Sequence, residues 1–318
     1  MTNAEMCVWS EAPLNGWLLQ AIQSSGVEVI SVGSPRSDVR MCLGSTDRCL
    51  SDLRTFSAAM HGLPLIFVGF GNSAARQAIA KNHPRVFTTE PWMGLAEDRH
   101  EPRDEVLLPG LALDGRFMQA ADIFSQSGSP DVAQISSLGC LDSGSILARI
   151  QEAASILIQW MGLPERVSAC VGGGRIQRAG DEHPDSSSRS FRSWVGSFAL
   201  TCQFSDGRAG LILASNQHPA WSRAALACGR FGAVRVDDTM LEWRDGANKL
   251  IECVEPAPSE TEVIDQGSLT AHTLRDGDAV AQITAINRLH CRSFVEAACL
   301  SAFTRESESP LKMAEIFG

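Results

Sequence analysis

The stretch MCVWSEAPLNGWLLQAIQSSGVEVISVGS, residues 6–34, limits the architecture of this chain more than any other part of it. Residues 7–10 read as a short strand, and 17–24 as a helix with Leu18, Leu19 and Ile22 on its apolar side. Gly26 stops that helix, and 27–32 runs apolar as a second strand. Strand, tight loop, helix and strand in that order make the opening βαβ unit of a dinucleotide-binding fold. Such a unit normally carries G-x-G-x-x-G, whose glycines let the backbone approach a pyrophosphate at the helix N-terminus. Here the loop is Glu11-Ala12-Pro13-Leu14-Asn15-Gly16, with one glycine beside a proline and an acid. The frame is legible and its phosphate loop is depleted.

The alternation continues. A third strand is expected at 39–43, a helix at 47–60 closed by Gly62, and a continuous apolar strand at 65–68, as inside a parallel sheet covered on both faces. Strands and helices in this order indicate an α/β fold with a doubly wound parallel sheet. Residues 69–74 then match G-x-G-x-x-A between that strand and a helix, and a strand at 85–89 ends in Glu90, near the spacing of a ribose-binding acid. That segment competes for a nucleotide, although a glycine pair after a buried strand also serves a plain turn.

The second half reads differently. A polar, proline-broken linker at 91–105 leads to helices at 116–125 and 145–161 and a strand at 167–171. Residues 172–193 read as a flexible excursion. Strands at 198–204 and 210–215 flank Asp206-Gly207, a favoured hairpin turn. Further strands at 224–228, 233–236, 240–243 and 249–254 extend an open, mostly antiparallel sheet with helices on one face. A long helix at 276–300 and a short proline-interrupted tail close the chain. The expected domains are a Rossmann-like domain over residues 1–108 and an α+β domain over 109–318.

Composition excludes several functions. A net charge of −10 without a basic stripe argues against nucleic acid. No apolar run approaches the ~20 residues that span a bilayer. The first residues lack a basic segment followed by an apolar core, so a cytoplasmic location is expected. Ten cysteines, none in C-x-x-C, read as buried reduced thiols, and no metal site is expected. Tyrosine is absent and lysine occurs only at 81, 249 and 312, which leaves few candidates for a lysine or tyrosine proton donor. His218 follows a strand edge, where it is either a groove residue or a surface-loop histidine. His61, His83 and His290 read as structural. Asp114, Asp142 and Glu152 are polar candidates that nothing in the sequence pins together, and no nucleophile motif appears.

The order of elements resembles the Gfo/Idh/MocA oxidoreductases. ILIQWMGLPERVSACV is similar to that family's helix ending in W-x-x-G-x-P and its following strand. FALTCQFSDGRAGLILAS is similar to its D-G hairpin, GRFGAVRVDD to the turn after it, and EAACLSAFTRESESPLKM to its last helix and tail. The likeness covers nearly the whole chain. It implies a nucleotide domain followed by an α/β domain whose open sheet often mediates dimers or tetramers. The motifs that carry activity in the family depart here. Its phosphate loop falls on 11–16, and its NADP-reading position falls on Gly33-Ser34-Pro35-Arg36, where Ser34 and Arg36 suit either a 2′-phosphate or a solvated turn. Its E-K-P motif falls on Gly69-Phe70-Gly71, with no lysine before Lys81. Its D-x-G-x-H-x-x-D helix falls on Arg149, Gln151, Ala153 and Ile156.

The expected function is therefore a noncatalytic partner or regulatory subunit of this type, acting through its β-sheet as a homo-oligomer or as a heteromer with an active paralogue. No cofactor and no catalytic residue are assigned. The alternative is an NAD(P)-dependent oxidoreductase acting on a sugar or other small polar metabolite. NAD or NADP would then be held by Ser10, Asn15, Gly16, Ser34 and Arg36. A further alternative is a repurposed non-redox enzyme acting on a small molecule.

Overall fold

The computed structural model describes residues 5–11, 14, 16–34, 52–69, 73–91, 104–108, 115–141, 144–173, 191, 194–254, 266–275 and 277–317. The chain clusters into two compact units. The first comprises Met1–Trp92, Ala96–Gly110 and Gln266–Ile286, and the second Met93–Leu95, Leu111–Asp265 and Asn287–Gly318.

The first unit is built on a parallel sheet. Strands β1 (Glu5–Ser10), β2 (Glu28–Gly33), β3 (Leu65–Val68), β4 (Arg85–Thr88) and β5 (Asp104–Leu107) lie in the order β2-β1-β3-β4-β5, and every pair is parallel. Helices α1 (Gly16–Ser24), α2 (Leu53–Ala59) and α3 (Ser73–Asn82) connect them. The four residues of β3 are all buried, as the unbroken apolar run requires of a strand covered on both faces. Asp52 caps α2 by accepting a hydrogen bond from the Thr55 amide. Phe56, from that helix, packs on Trp9 with ring centroids 5.4 Å apart. Both rings crowd Gly33, where an added Cβ would stand 2.5 Å from each. A later helix, α6 (Gln266–Arg275), returns to this unit and packs on α1. Nothing in the hydrophobic pattern had singled it out. The strand expected at 39–43 lies outside the described residues.

The second unit holds an eight-stranded sheet. Its strands are β6 (Val132–Leu138), β7 (Arg166–Gly173), β8 (Gly196–Gln203), β9 (Ala209–Ser215), β10 (Ser222–Gly229), β11 (Gly232–Asp237), β12 (Leu241–Arg244) and β13 (Leu250–Val254), in the order β13-β12-β11-β10-β6-β9-β8-β7. All pairs are antiparallel except β6 with β9. β6 was not anticipated. It enters the middle of what reads in sequence as a continuous meander, so β9 and β10 are separated although consecutive. Helices α4 (Gly115–Ser127) and α5 (Ile146–Met161) cover one face. α5 lies so close over β9 that a Cβ on Gly210 would stand 3.0 Å from Leu157. The long helix α7 (Gly277–Thr304) contributes residues to both units, and α8 (Pro310–Phe317) forms where a plain tail was expected.

Three further expectations need correction. The linker at 91–105 runs into β5 at Asp104. The excursion at 172–193 begins inside β7, which extends to Gly173 and pairs with Gly196, and Phe191 at its far end is fully buried. Cysteine burial also divides. Cys7, Cys202, Cys291 and Cys299 are buried free thiols, whereas Cys170, Cys228 and Cys253 are exposed, because they fall on the outward register of β7, β10 and β13 rather than in the core. Burial pushes the Cys7, Cys202 and Cys291 thiols up to about 12, so they stay protonated and inert.

Candidate functional site

In an open parallel sheet, ligands sit at the carboxyl ends of the strands where the connections diverge to opposite sides. In the first unit that point lies between β1 and β3, with β2 on the far side of β1. Ser10 ends β1, and Ser34 follows β2. Both are completely buried, and the Ser34 hydroxyl donates to the Ser10 carbonyl at 2.7 Å. The two candidates are thus brought together, holding the strand ends to one another. Ser34 is not in a solvated turn, because the bond to Ser10 draws it inward. The Glu11 amide donates to the Val68 carbonyl at 2.8 Å, which ties the end of β1 to the end of β3. Gly69 follows with φ +143°, and a Cβ there would stand 2.8 Å from the Glu11 carboxylate. Glycine is required by both the backbone and the neighbour.

Gly16 opens α1 exposed, and nothing lies within 4 Å of a Cβ built on it. The fit to a dinucleotide is therefore divided by level. The backbone fits: a helix N-terminus with open space beside it suits a pyrophosphate. One side chain opposes it, since Glu11 sets a negative charge at the strand end where the phosphates would lie. Asn15, Arg36 and residues 70–72 of the competing glycine segment lie outside the described residues. At the far end of that segment, Glu90 closes a local turn in which Thr88 donates to its carbonyl at 2.7 Å. Lys81 is exposed in the last turn of α3.

The second unit holds the other constellation. Residues 149, 152, 153 and 156 fall on one stripe of α5 by helical geometry. Ser145 caps the helix, accepting from the Ala148 amide at 3.3 Å. Arg149 and Glu152 form an ion pair at 2.9 Å with both side chains 1–2% exposed. The Ser137 hydroxyl, from β6, donates to the same Glu152 oxygen. Ala153 and Ile156 are apolar and buried. Burial pushes the Glu152 carboxyl above its ordinary range, although Arg149, the Ser137 hydroxyl and Arg223 all pull it down. Gly144, at φ +130°, makes room for Arg149, whose Nη2 lies 2.9 Å from where a Cβ would be.

A second pair stands nearby and had no counterpart in the sequence reading. Arg223 bonds Asp238 through Nη2 at 2.7 Å and Nε at 2.8 Å, and its backbone amide donates to the other Asp238 oxygen at 2.6 Å. Its guanidinium lies over Trp221 at 4.4 Å and Phe117 at 5.1 Å. Arg116 donates to the Asp238 carbonyl. Only the register of β10 and β11 brings these residues together, and no spacing in the sequence signals it. The Arg-x-x-Glu spacing inside an apolar helix was the one visible hint of the first pair.

The other candidates stay apart. His218 is engaged locally, with Nδ1 2.6 Å from the Ala220 carbonyl, and His290 is half-buried within α7. His83 lies buried in the first unit, its Nδ1 2.8 Å from the Leu63 carbonyl. Asp114 and Asp142 lie outside the described residues. Among the described residues no group of three or more His, Cys, Asp or Glu is arranged to hold a metal ion, and no helix is long and apolar enough to cross a membrane.

Together, a parallel dinucleotide-type sheet and an eight-stranded, mostly antiparallel sheet backed by helices define the Gfo/Idh/MocA architecture. By sequence, the chain matches no protein-family model and no curated protein. Solved structures match along almost the whole chain. Myo-inositol 2-dehydrogenase from Lactobacillus plantarum is 11% identical with a TM-score of 0.67, covering 97% of this chain and 99% of its own. Levoglucosan dehydrogenase in complex with NADH is 10% identical with a TM-score of 0.70, covering 97% and 99%. Apo scyllo-inositol dehydrogenase from Lactobacillus casei is 11% identical with a TM-score of 0.66, covering 98% and 99%. The structural neighbours are thus inositol and sugar dehydrogenases of the Gfo/Idh/MocA type, and the fold is theirs.

Proposed function

We propose that this protein binds a nicotinamide dinucleotide on its first unit and is a cytoplasmic oxidoreductase of the sugar or polyol class. The observation that carries the proposal is architectural: the chain has, from end to end, the fold of dehydrogenases, one of them in complex with NADH. The α1 N-terminus at Gly16 is the part of this chain suited to the pyrophosphate, and the Ser10–Ser34 bond fixes the strand ends beside it. The cofactor, when bound, supplies hydride transfer. Calorimetric titration with NADH and NADPH tests the reading. Micromolar binding of either supports it, and silence up to millimolar concentration removes it.

One observation favours a second reading, a noncatalytic partner or regulatory subunit. Hydride exchange between an alcohol and a carbonyl needs a group that moves a proton. On the α5 stripe the ionisable groups are Arg149 and Glu152, and these are buried against each other. Nucleotide binding without turnover across a panel of polyols and sugars would select this reading over the first.

A further inference from the structure

In the second unit β6 lies between β9, which runs parallel to it, and β10, which runs antiparallel. The connection from β9 to β10, residues 216–221, therefore crosses the carboxyl end of β6. The chain leaving β6 turns instead toward α5, which covers one face of the sheet. Connections that part in this way leave a crevice at the carboxyl end of a strand, where open sheets seat their ligands.

The crossing loop is firmly held. Asn216 is fully buried; its side-chain oxygen accepts from the Gly196 amide at 2.9 Å, and its side-chain amide donates to the Trp194 carbonyl at 2.9 Å. The Gln217 amide donates to the Ser215 hydroxyl at 3.1 Å. The His218 amide donates to the carbonyl of Gly139, the residue after β6, at 3.0 Å. Pro219 then restricts the backbone beyond it. The fold thus presents a half-buried His218 over the end of β6.

Its ring is oriented as well. Nδ1 lies 2.6 Å from the Ala220 carbonyl, which can only accept, so Nδ1 carries the hydrogen. The Ala220 amide, 3.3 Å from the same nitrogen, is the weaker contact. The lone pair of the imidazole then falls on Nε2, which bonds to none of the described residues. The floor beneath the loop is polar. The hydroxyl of Ser137, the penultimate residue of β6, donates to Glu152 Oε2, and Arg149 pairs with that same oxygen. Glu152 Oε1 is buried with no hydrogen-bond partner. A buried acceptor of this kind calls for a donor, and a ligand hydroxyl supplies one.

We propose that His218 is the catalytic base of this protein, taking through Nε2 the hydroxyl proton of a sugar or polyol held at the carboxyl end of β6. The assignment rests on the oxidoreductase reading. The hydroxyl proton passes to Nε2, and the hydrogen on the same carbon leaves with its electron pair for the oxidised nicotinamide. The C–O bond becomes a carbonyl, and the imidazolium returns its proton to water. Other residues of the second unit are placed less well for this task. Tyrosine is absent from the chain. Lys249 lies in the turn between β12 and β13, and Lys312 follows the Val167–Glu308 bridge, both at the opposite end of the sheet.

Turnover of glucose, sorbitol and inositol with NAD or NADP tests the assignment. His218→Asn keeps a donor for the Ala220 carbonyl and removes the base, so kcat should fall about 100-fold or more. NADH affinity and the urea unfolding midpoint should not change. His218→Gly leaves space for a free base, and added imidazole should raise its rate about tenfold, which a histidine that only packed the loop would not permit. Without cofactor, diethyl pyrocarbonate should modify His218, read by peptide mass, and the sugar or polyol that turns over should slow that modification. A kcat in His218→Asn within about threefold of the parent overturns the assignment. So does a loss that imidazole leaves in place, or a modification rate that none of the three compounds slows. Turnover that His218→Asn leaves intact removes the assignment alone. A parent chain that turns over none of them removes the oxidoreductase reading and the assignment with it.

Discussion

The strand ends of the first unit and the first turns of α5 in the second hold their polar groups in different ways. At β1 the arrangement is set by the backbone, with one acidic side chain beside it. Gly16 opens a helix and the Ser34 hydroxyl donates to the Ser10 carbonyl, while the Glu11 side chain lies against Gly69. At α5 a capped helix carries its polar groups within the packing. Arg149 and Glu152 neutralise one another, and Ala153 and Ile156 fill the core. A glycine loop can lose residues and leave the strand it follows intact, because the loop carries little of the core. A helix stripe facing a sheet cannot lose polar groups without something else filling or neutralising the space.

The largest expected effect therefore falls on the second region. Arg149→Ala leaves the buried Glu152 carboxyl without its ion-pair partner, offset only by the Ser137 hydroxyl and the more distant Arg223, and the chain should lose about 3 kcal/mol of stability. The double replacement Arg149→Met with Glu152→Leu removes both charges at similar volume and should cost far less, or nothing. Urea unfolding monitored by circular dichroism measures both. Equal losses in the single and double variants would show that the cost does not come from an uncompensated Glu152 charge.

The same contrast shows what the sequence could and could not reveal. The parallel sheet was legible because buried strands such as LIFV at 65–68 read as unbroken apolar runs. The hairpin around Asp206-Gly207 was legible because a turn residue at φ +88° nearly demands glycine. β6 escaped because its register carries serines at 136 and 137, one outward and the other answering Glu152, which dilute the alternation. α6 escaped because its sequence, QGSLTAHTLR, shows no apolar stripe of its own. At the sites, the sequence displays a single glycine, Gly16, in the loop at 11–16. The Arg223–Asp238 pair was invisible, since 15 residues of strand and turn separate its members and only antiparallel pairing makes them neighbours.

A second measurement sharpens the comparison through pH, where the two regions should respond with opposite sign. His83 is buried in the first unit, and burial holds its pKa below the ordinary value of 6.5, with His61 adding to the shift. The unfolded chain then binds the proton more readily, so this contribution is intact above pH 6.5 and is lost as pH falls through the lower folded value. Glu152 is shifted upward from 4.5. Its contribution is complete below that value and is lost as pH rises through the folded value. His83→Gln should flatten the acid side of the stability profile, and Glu152→Gln should flatten the rise in cost above pH 4.5. Denaturant titrations at stepped pH give both differences against the parent. The same slope change in both variants would contradict the assigned signs.

The smallest effect tests the first region most directly. If the α1 N-terminus receives a pyrophosphate, the Glu11 carboxylate repels it across a partly solvated gap. Glu11→Gln keeps the size of the side chain, and its backbone bond to Val68 does not depend on the charge. Removing one exposed charge is worth about 1 kcal/mol or less, so NADH should bind up to ~5-fold more tightly. Screening shortens the reach of that charge, so the advantage should shrink between low and high salt. An affinity that does not change at low salt would place the phosphates away from β1. The competing glycine segment after β3 would then become the first place to look, because Gly69 would be serving the nucleotide rather than the packing of Glu11. A gain that vanishes with salt would instead show that the backbone at the α1 N-terminus meets the nucleotide, and that one side chain weakens the contact.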